Sequence, residues 1–180
     1  RATLAGYGSS VPPVERDHRS IPRYPCRMRI VLAHGASGRA ASMRPHIEGL
    51  ATRGIEGMAI DLPVRAAETA LDPYRSAAGL DAPDPRPAVI GGHSYGGRVA
   101  SLVAADGTPG VRGLVLLSYP LHRPGAPDWE IRSSHWRSIE VPVLLLSGAS
   151  DPFASIDLLR RAVAERLPQA ELVTYPRLGH

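Results

Sequence analysis

The segment Gly92-His93-Ser94-Tyr95-Gly96 restricts the fold of this chain more than any other part of the sequence. It follows the apolar run 88–90 and precedes a helical pattern at Arg98–Asp106. A serine on a sharp strand-to-helix turn has a strained backbone, and glycine two residues before and after it avoids collisions there. The segment therefore predicts a nucleophile elbow, with Ser94 at a helix N-terminus where free N–H groups can receive negative charge. The alternative is a tight structural turn with an idle serine.

Apolar runs rich in β-branched residues recur along the chain with longer segments between them. The six runs are Arg29–Ala33, Ile55–Ile60, Ala88–Gly91, Val111–Leu117, Val141–Leu146 and Glu171–Tyr175. Most are apolar throughout, which is typical of strands buried on both faces of a parallel sheet. Helical patterns lie at Met43–Arg53, Arg98–Asp106 and Ser155–Leu167, the last with Ser155 as its N-cap. This alternation predicts a three-layer α/β domain with right-handed crossovers.

Proline, arginine, glycine and serine dominate residues 1–27, which predicts an arm with little regular structure and places the α/β domain at residues 28–180. Residues 1–29 hold six Arg against Glu15 and Asp17, whereas from residue 30 onward 15 Arg balance 15 acidic residues. Because the basic excess is confined to the arm, a solvated tail is favoured over an anionic partner, and no nucleic-acid partner is expected.

The sequence offers no sign of a membrane segment, a metal site or a cofactor site. No apolar run approaches 18 residues, and a single cysteine, Cys26, excludes an internal disulfide and favours a reducing compartment. The histidines are dispersed, and neither a Walker sequence nor a dinucleotide fingerprint is present. We therefore expect a cytoplasmic protein that needs no cofactor.

A serine nucleophile requires a base to take its proton and an acid to orient that base. On sheets that carry this kind of elbow, the chain order is serine, acid, histidine. Asp151 follows the run 143–146, and His180 follows the run 172–175, so both are expected at the carboxyl edge of the sheet. We predict Asp151 as the acid and His180 as the base, with Asp61 as the reserve acid. Since a catalytic histidine needs a fixed ring, we also expect the natural chain to continue beyond His180.

Backbone N–H groups must receive the oxyanion of the tetrahedral intermediate. One donor should be Tyr95, directly after the nucleophile, and the other should come from the loop 33–38 after the first run. In that loop Ala36 is the first choice and Ser37 the second. The proline-broken segment 119–136 is expected to wall a pocket over Ser94. Its candidate lining residues are Tyr119, Leu121, His122, Trp129 and Trp136.

Four ordered segments resemble a known family. They are Leu32-Ala33-His34-Gly35-Ala36, Gly91-Gly92-His93-Ser94-Tyr95-Gly96-Gly97-Arg98-Val99-Ala100, Tyr119-Pro120-Leu121-His122-Arg123-Pro124-Gly125 and Gly148-Ala149-Ser150-Asp151-Pro152-Phe153. Together they resemble the compact α/β-hydrolase proteins related to dienelactone hydrolase, a group that also includes relatives of a subunit of the non-specific-lethal chromatin complex. The resemblance implies a three-layer α/β-hydrolase fold with a minimal, mostly parallel six-stranded sheet, no large cap domain and the triad Ser94, Asp151 and His180. Dienelactone hydrolases use a cysteine nucleophile, so their lactone activity is not carried over.

These features predict a serine hydrolase that cleaves a small carboxylic ester or thioester through an acyl-enzyme intermediate. The expected partner is that small-molecule substrate. Two alternatives remain open at this point. The fold can serve a catalytically silent interaction protein, because fold alone does not prove activity, and the same triad can support cofactor-independent perhydrolysis.

Overall fold

The computed structural model describes residues 28–126 and 132–180. The predicted arm, residues 1–27, and the candidate lining residue Trp129 lie outside the described residues. Six strands form one sheet, in the order β2-β1-β3-β4-β5-β6, and every pair of neighbours is parallel. The strands are β1 (Arg29–Ala33), β2 (Gly57–Ile60), β3 (Ala88–His93), β4 (Val111–Leu117), β5 (Val143–Gly148) and β6 (Ala170–Tyr175). The predicted fold class and the six strands are confirmed.

Four α-helices connect these strands in the described residues. They are α1 (Arg44–Ala51), α2 (Leu71–Ala77), α3 (Tyr95–Ala105) and α4 (Ile156–Arg166). Short 3₁₀ turns lie at Ala40–Met43, Ala67–Thr69 and Ser134–Ser138. Helix α1 is shorter than the predicted helix Met43–Arg53. Its start lies at Arg44 because the first of these 3₁₀ turns ends at Met43. The helix in the proline-rich segment 61–87 spans only seven residues, as the prolines predict.

The start of β5 and the N-terminus of α4 can be compared with the sequence prediction in physical terms. The fifth strand begins at Val143 instead of Val141, because Pro142 lacks an N–H and contributes only its carbonyl, which accepts from the N–H of Leu114 (2.9 Å). Ser155 does occupy the N-cap position of α4, but its hydroxyl makes no capping hydrogen bond.

Alternate residues of the strands face a single core. Val31, Ile90, Leu114 and Val143 are register partners across four strands, and all are at most 4% exposed. Helices α2, α3 and α4 cover this face. On the opposite face α1 packs against β2, and its Leu50 lines a pocket together with alternate residues of β1, β4 and β5. This gives the three layers that the sequence predicts.

The strand order creates the crevice in which a site can form. The chain leaves β1 toward β2 on one side and leaves β3 toward β4 on the other, so the loops after β1 and β3 separate at neighbouring strand ends. In open α/β sheets, ligands bind at such a switch point, beyond the carboxyl ends of the strands. Both the predicted nucleophile and the predicted oxyanion loop therefore lie at this point.

Helix α3 reaches β1 through direct backbone contact at Gly96. A Cβ on Gly96 would lie 2.5 Å from the carbonyl oxygen of Ala33 and 2.6 Å from that of His34. The N–H of Gly96 donates to the same His34 oxygen at 3.0 Å. No side chain fits in this gap without moving the helix from the sheet.

We expect Gly96→Ala to lower the free energy of unfolding by at least about 2 kcal/mol, because the added methyl overpacks rigid backbone. Gly49→Ala is the matched control. Gly49 lies inside α1 with open space around its Cβ position, so alanine there should raise the free energy of unfolding by about 0.5–1 kcal/mol. Urea denaturation of both variants tests this, and equal stability of the Gly96 variant and wild type would contradict it.

Candidate active site

Ser94 lies on a sharp turn between β3 and α3. Its backbone has φ 49° and ψ −111°, in a region that residues with a side chain rarely adopt. Such a conformation costs about 1–3 kcal/mol and persists only where the surroundings enforce it. Here the N–H of Ser94 donates to the carbonyl oxygen of Leu117 at 2.8 Å, which ties the turn to β4.

Glycine at position 92 is required by the same turn. A Cβ on Gly92 would lie 2.4 Å from the carbonyl oxygen of Ala33 and 2.8 Å from the carbonyl carbon of Gly96. The two glycines that flank Ser94 thus both face the end of β1. The predicted need for glycine two residues before and two residues after Ser94 therefore agrees with the local geometry.

Asp151, His180 and Ser94 form a continuous line of hydrogen bonds. The Nδ1 atom of His180 lies 2.9 Å from Oδ2 and 3.0 Å from Oδ1 of Asp151, and its Nε2 atom lies 2.7 Å from Oγ of Ser94. The Asp151 side chain is fully buried, and its Oδ1 also accepts from the N–H of Phe153 at 2.8 Å. The structure brings together these three residues, which are 86 positions apart at the extremes.

Backbone contact between two loops delivers His180 to Asp151. A Cβ on Gly148, the last residue of β5, would lie 2.2 Å from the carbonyl oxygen of Leu178 and 2.3 Å from that of Gly179. The N–H of Ser150 donates to the same Leu178 oxygen at 3.0 Å. This role of Gly148 was not predicted from the sequence. The signal that could have revealed it is a glycine at the very end of β5, directly before the loop 149–155 that carries Asp151, called the acid loop below.

Two further rings, neither of which was predicted to belong to the site, lie beside His180. The ring centroid of Phe153 is 4.3 Å from that of His180, and the centroid of His93 is 5.1 Å away. Burial, together with the charges of His180 and His46, lowers the pKa of His93 below its usual value. His93 is therefore neutral at neutral pH and adds no positive charge beside His180.

The loop after β1 is held by the buried imidazole of His34. Its Nδ1–H donates to the carbonyl oxygen of Gly35 at 2.7 Å, and its Nε2 accepts from the N–H of Leu62 at 3.0 Å. Since Nε2 accepts a hydrogen bond, the ring is the neutral Nδ1–H tautomer. His34 thus joins the loop after β1 to the loop after β2.

The N–H groups of Ala36 and Tyr95 are available at this crevice. Both residues line the groove that contains Ser94, and in residues 28–126 and 132–180 neither N–H has a protein acceptor. The N–H of Gly96, by contrast, is bonded to His34. Ser37, the second choice from the sequence, is not among the residues that line the groove. An oxyanion hole requires backbone donors of this kind beside the nucleophile, so Ala36 and Tyr95 stay the predicted donors.

A groove of about 390 Å³ opens beside Ser94. Its wall carries an ion pair between Arg98 and Glu68, with 2.6 Å between Nη2 and Oε1. A backbone hydrogen bond, and then the charge of Arg98, lowers the pKa of the Glu68 carboxyl below its usual value. The lining residues are Ala36, Arg65, Ala66, Ala67, Glu68, Ser94, Tyr95, Arg98, Pro120, Arg132 and Phe153.

Four of the five predicted lining residues do not line this groove. Tyr119, Leu121 and Trp136 are fully buried in the core, and His122 is 3% exposed. The segment after β4 folds inward because Tyr119 packs edge-on against Trp136, with centroids 5.0 Å apart, and donates a hydrogen bond to the carbonyl oxygen of Arg132. The prediction was therefore wrong for these four side chains.

Asp61, the reserve acid, has another partner. Its Oδ1 accepts from the N–H of Ala40 at 2.7 Å, and its side chain is 70% exposed. In the part of the chain that the structure describes, no cluster of three His, Cys, Asp or Glu residues forms a metal-binding arrangement. Within the same residues, no helix has the length and apolar character needed to cross a bilayer.

Solved structures with this architecture include hydrolases of several kinds. A protein assigned as a dienelactone hydrolase from Klebsiella pneumoniae subsp. pneumoniae is 22% identical, with a TM-score of 0.65 over 89% of this chain and 78% of its own. Est1E from Butyrivibrio proteoclasticus, solved with ferulic acid, is 18% identical, with a TM-score of 0.68 over 86% and 81%. The thioesterase domain from the curacin biosynthetic pathway is 16% identical, with a TM-score of 0.69 over 87% and 86%. At these identities, the likeness concerns the fold.

The sequence itself matches the family described as alpha/beta hydrolase domain over residues 26–175. That segment includes Ser94 and Asp151 and ends shortly before His180. The predicted relationship to dienelactone hydrolase finds a counterpart among the solved structures, whereas these matches provide no link to the chromatin-complex subunit. With most of its length inside the match, and with the sheet order and serine turn described above, this chain belongs to the alpha/beta hydrolase domain family.

Proposed function

We propose that this protein is a serine hydrolase that cleaves a small carboxylic ester or thioester through an acyl-enzyme intermediate. The observation that carries the proposal is the hydrogen-bonded line from Asp151 through His180 to Ser94, with distances of 2.9 and 2.7 Å. A buried carboxylate, an imidazole and a strained serine in this order constitute a nucleophile with its base and its orienting acid.

The proton positions follow from the hydrogen bonds. The acceptor-only carboxylate of Asp151 requires a proton on Nδ1 of His180, which leaves a lone pair on Nε2 for the hydroxyl proton of Ser94. As Ser94 Oγ forms a bond to the acyl carbon, that proton moves to Nε2. The resulting imidazolium is stabilised by the buried Asp151 carboxylate.

The oxyanion then receives hydrogen bonds from the N–H groups of Tyr95 and Ala36. When the tetrahedral intermediate collapses, the bond to the leaving oxygen or sulfur breaks, and His180 protonates that alcohol or thiol. Water next attacks the Ser94 ester, with His180 again as the base, and releases a carboxylic acid. The reaction thereby returns the three residues to their initial protonation states.

The volume of the groove, about 390 Å³, favours small acyl groups. Beside Ser94 its apolar wall consists of Ala36, Ala66, Ala67, Pro120 and Phe153. Among the structural neighbours, Est1E was solved with ferulic acid and another is a thioesterase domain. Oxygen and sulfur esters share the same acyl transfer chemistry, so both classes belong in a substrate panel.

Fluorophosphonate labelling tests for an activated serine. We expect wild type to be labelled, Ser94→Ala to be unreactive, and His180→Ala to react at least about 10³-fold more slowly, because the serine loses its base. Ser118→Ala is the matched control: Ser118 directly follows the neighbouring strand β4 and has φ 47°, but it has no histidine partner in the described residues. Its variant should be labelled at the wild-type rate.

The same experiment separates the proposal from its main alternative. A folded wild-type protein that resists the probe would refute the hydrolase proposal and favour a catalytically silent interaction protein. Labelling followed by turnover of p-nitrophenyl acetate or an acetyl thioester would support hydrolysis.

The oxyanion assignment makes a separate prediction about Ala36. Because its backbone N–H is the donor, Ala36→Gly should change kcat by less than about threefold, whereas Ala36→Pro, which removes the N–H, should lower kcat by about 10²–10³-fold. Steady-state kinetics on a p-nitrophenyl ester and a circular-dichroism melt of each variant provide the measurement. Equal kcat values for the two variants in folded protein would exclude Ala36 as a donor.

A further inference from the structure

His122 lies under the acid loop, with both ring nitrogens bonded. Its Nδ1–H donates to the carbonyl oxygen of Arg123 at 2.8 Å, and the N–H of Ser155 donates to its Nε2 at 2.8 Å. The backbone N–H of His122 donates to the carbonyl oxygen of Phe153 at 3.0 Å. Because Nε2 accepts a hydrogen bond, the ring is the neutral Nδ1–H tautomer, as in His34.

These bonds hold the segment that supplies Asp151 and Phe153, two of the residues that surround His180. The carbonyl of Phe153 is held by His122, while its N–H donates to Oδ1 of Asp151 at 2.8 Å. The Phe153 ring meanwhile lies 4.3 Å from the ring of His180. The backbone of His122 thus holds Phe153 whichever side chain stands at position 122, whereas the imidazole holds the other end of the turn 151–155 through the Ser155 N–H.

A rotation of the acid loop would change how the Asp151 carboxylate faces Nδ1 of His180. Asp151 presents both oxygens to His180 Nδ1, at 2.9 and 3.0 Å, and keeps that orientation because the Phe153 N–H fixes one oxygen. If the Ser155 N–H loses its acceptor, the turn 151–155 is free to relax, and the carboxylate turns with it. A displacement of about 1 Å at a reacting group can cost 10²-fold in rate.

We propose that His122 is a positioning residue whose imidazole, by accepting a hydrogen bond from the Ser155 N–H, fixes the turn 151–155 and so orients Asp151 and His180. The inference rests on the proposed function, and it replaces the expected role of His122 as pocket lining. His122 touches no substrate, so its loss should reduce kcat while KM changes little.

Two amide variants isolate the bond to Ser155. His122→Gln places an amide oxygen near the position of Nε2 and can accept from the Ser155 N–H. His122→Asn is too short to reach it. We expect kcat on p-nitrophenyl acetate to fall about 10- to 100-fold in the Asn variant and by less than about threefold in the Gln variant, with KM within about twofold of wild type for both.

Thr108→Val controls for a general loss of stability. Thr108 is 8% exposed and accepts a hydrogen bond from Nε of Arg75 at 3.2 Å, between α3 and β4, away from the acid loop. This variant removes a buried side-chain hydrogen bond yet should keep the wild-type kcat. If the Asn and Gln variants lose activity equally, or if Thr108→Val loses as much as the Asn variant, the inference is overturned.

A proton NMR measurement tests the inference independently of turnover. The proton shared by His180 Nδ1 and Asp151 should give a low-field resonance in wild type, Thr108→Val and His122→Gln. That resonance should shift or exchange faster in His122→Asn. If wild type neither reacts with the fluorophosphonate probe nor hydrolyses esters, the proposed function fails, but this resonance still decides whether His122 orients the pair. An unchanged resonance in His122→Asn would refute the positioning role.

Discussion

The contact of backbone with backbone between the serine turn and the end of β1 is the constraint on which the rest of the site depends. Gly92 and Gly96 both approach the Ala33 carbonyl so closely that a Cβ on either would lie within 2.5 Å of its oxygen. This contact presses α3 against β1, enforces the strained φ of Ser94, and brings the loop of Ala36 beside the serine. The positions of the proposed nucleophile and of its proposed oxyanion donors thus both depend on the absence of a side chain at Gly92 and Gly96.

A second contact of this kind completes the site at the other side of the crevice. Gly148 lets the loop 176–180 pass over the end of β5, which brings His180 to Asp151. Sheet order alone brings β5 and β6 together, but it does not set the distance between their loops. Glycine at the strand end sets that distance, because any side chain would separate the two backbones by more than the hydrogen bond from His180 to Asp151 can span.

Neutral histidines connect the loops that the sheet leaves separate. His34 joins the loops after β1 and β2, and His122 joins the loop after β4 to the acid loop after β5. In each ring Nε2 accepts a hydrogen bond from a backbone N–H, and Nδ1–H donates to the carbonyl oxygen of the residue that follows the histidine in the chain. Buried backbone groups at strand ends need such partners, and imidazole supplies a donor and an acceptor on one rigid ring.

The sequence by itself determined the six strands, their parallel arrangement and the order of Ser94, Asp151 and His180, because buried parallel strands are continuously apolar and active loops follow their carboxyl ends. It also identified the glycines around Ser94. Only the tertiary structure decided which side chains line the groove. Tyr119, Leu121 and Trp136 are apolar or aromatic, and such residues satisfy a core as well as a pocket, so composition cannot separate the two. The roles of Gly148, Phe153 and His122 likewise depend on contacts between loops distant in sequence, which no local pattern encodes.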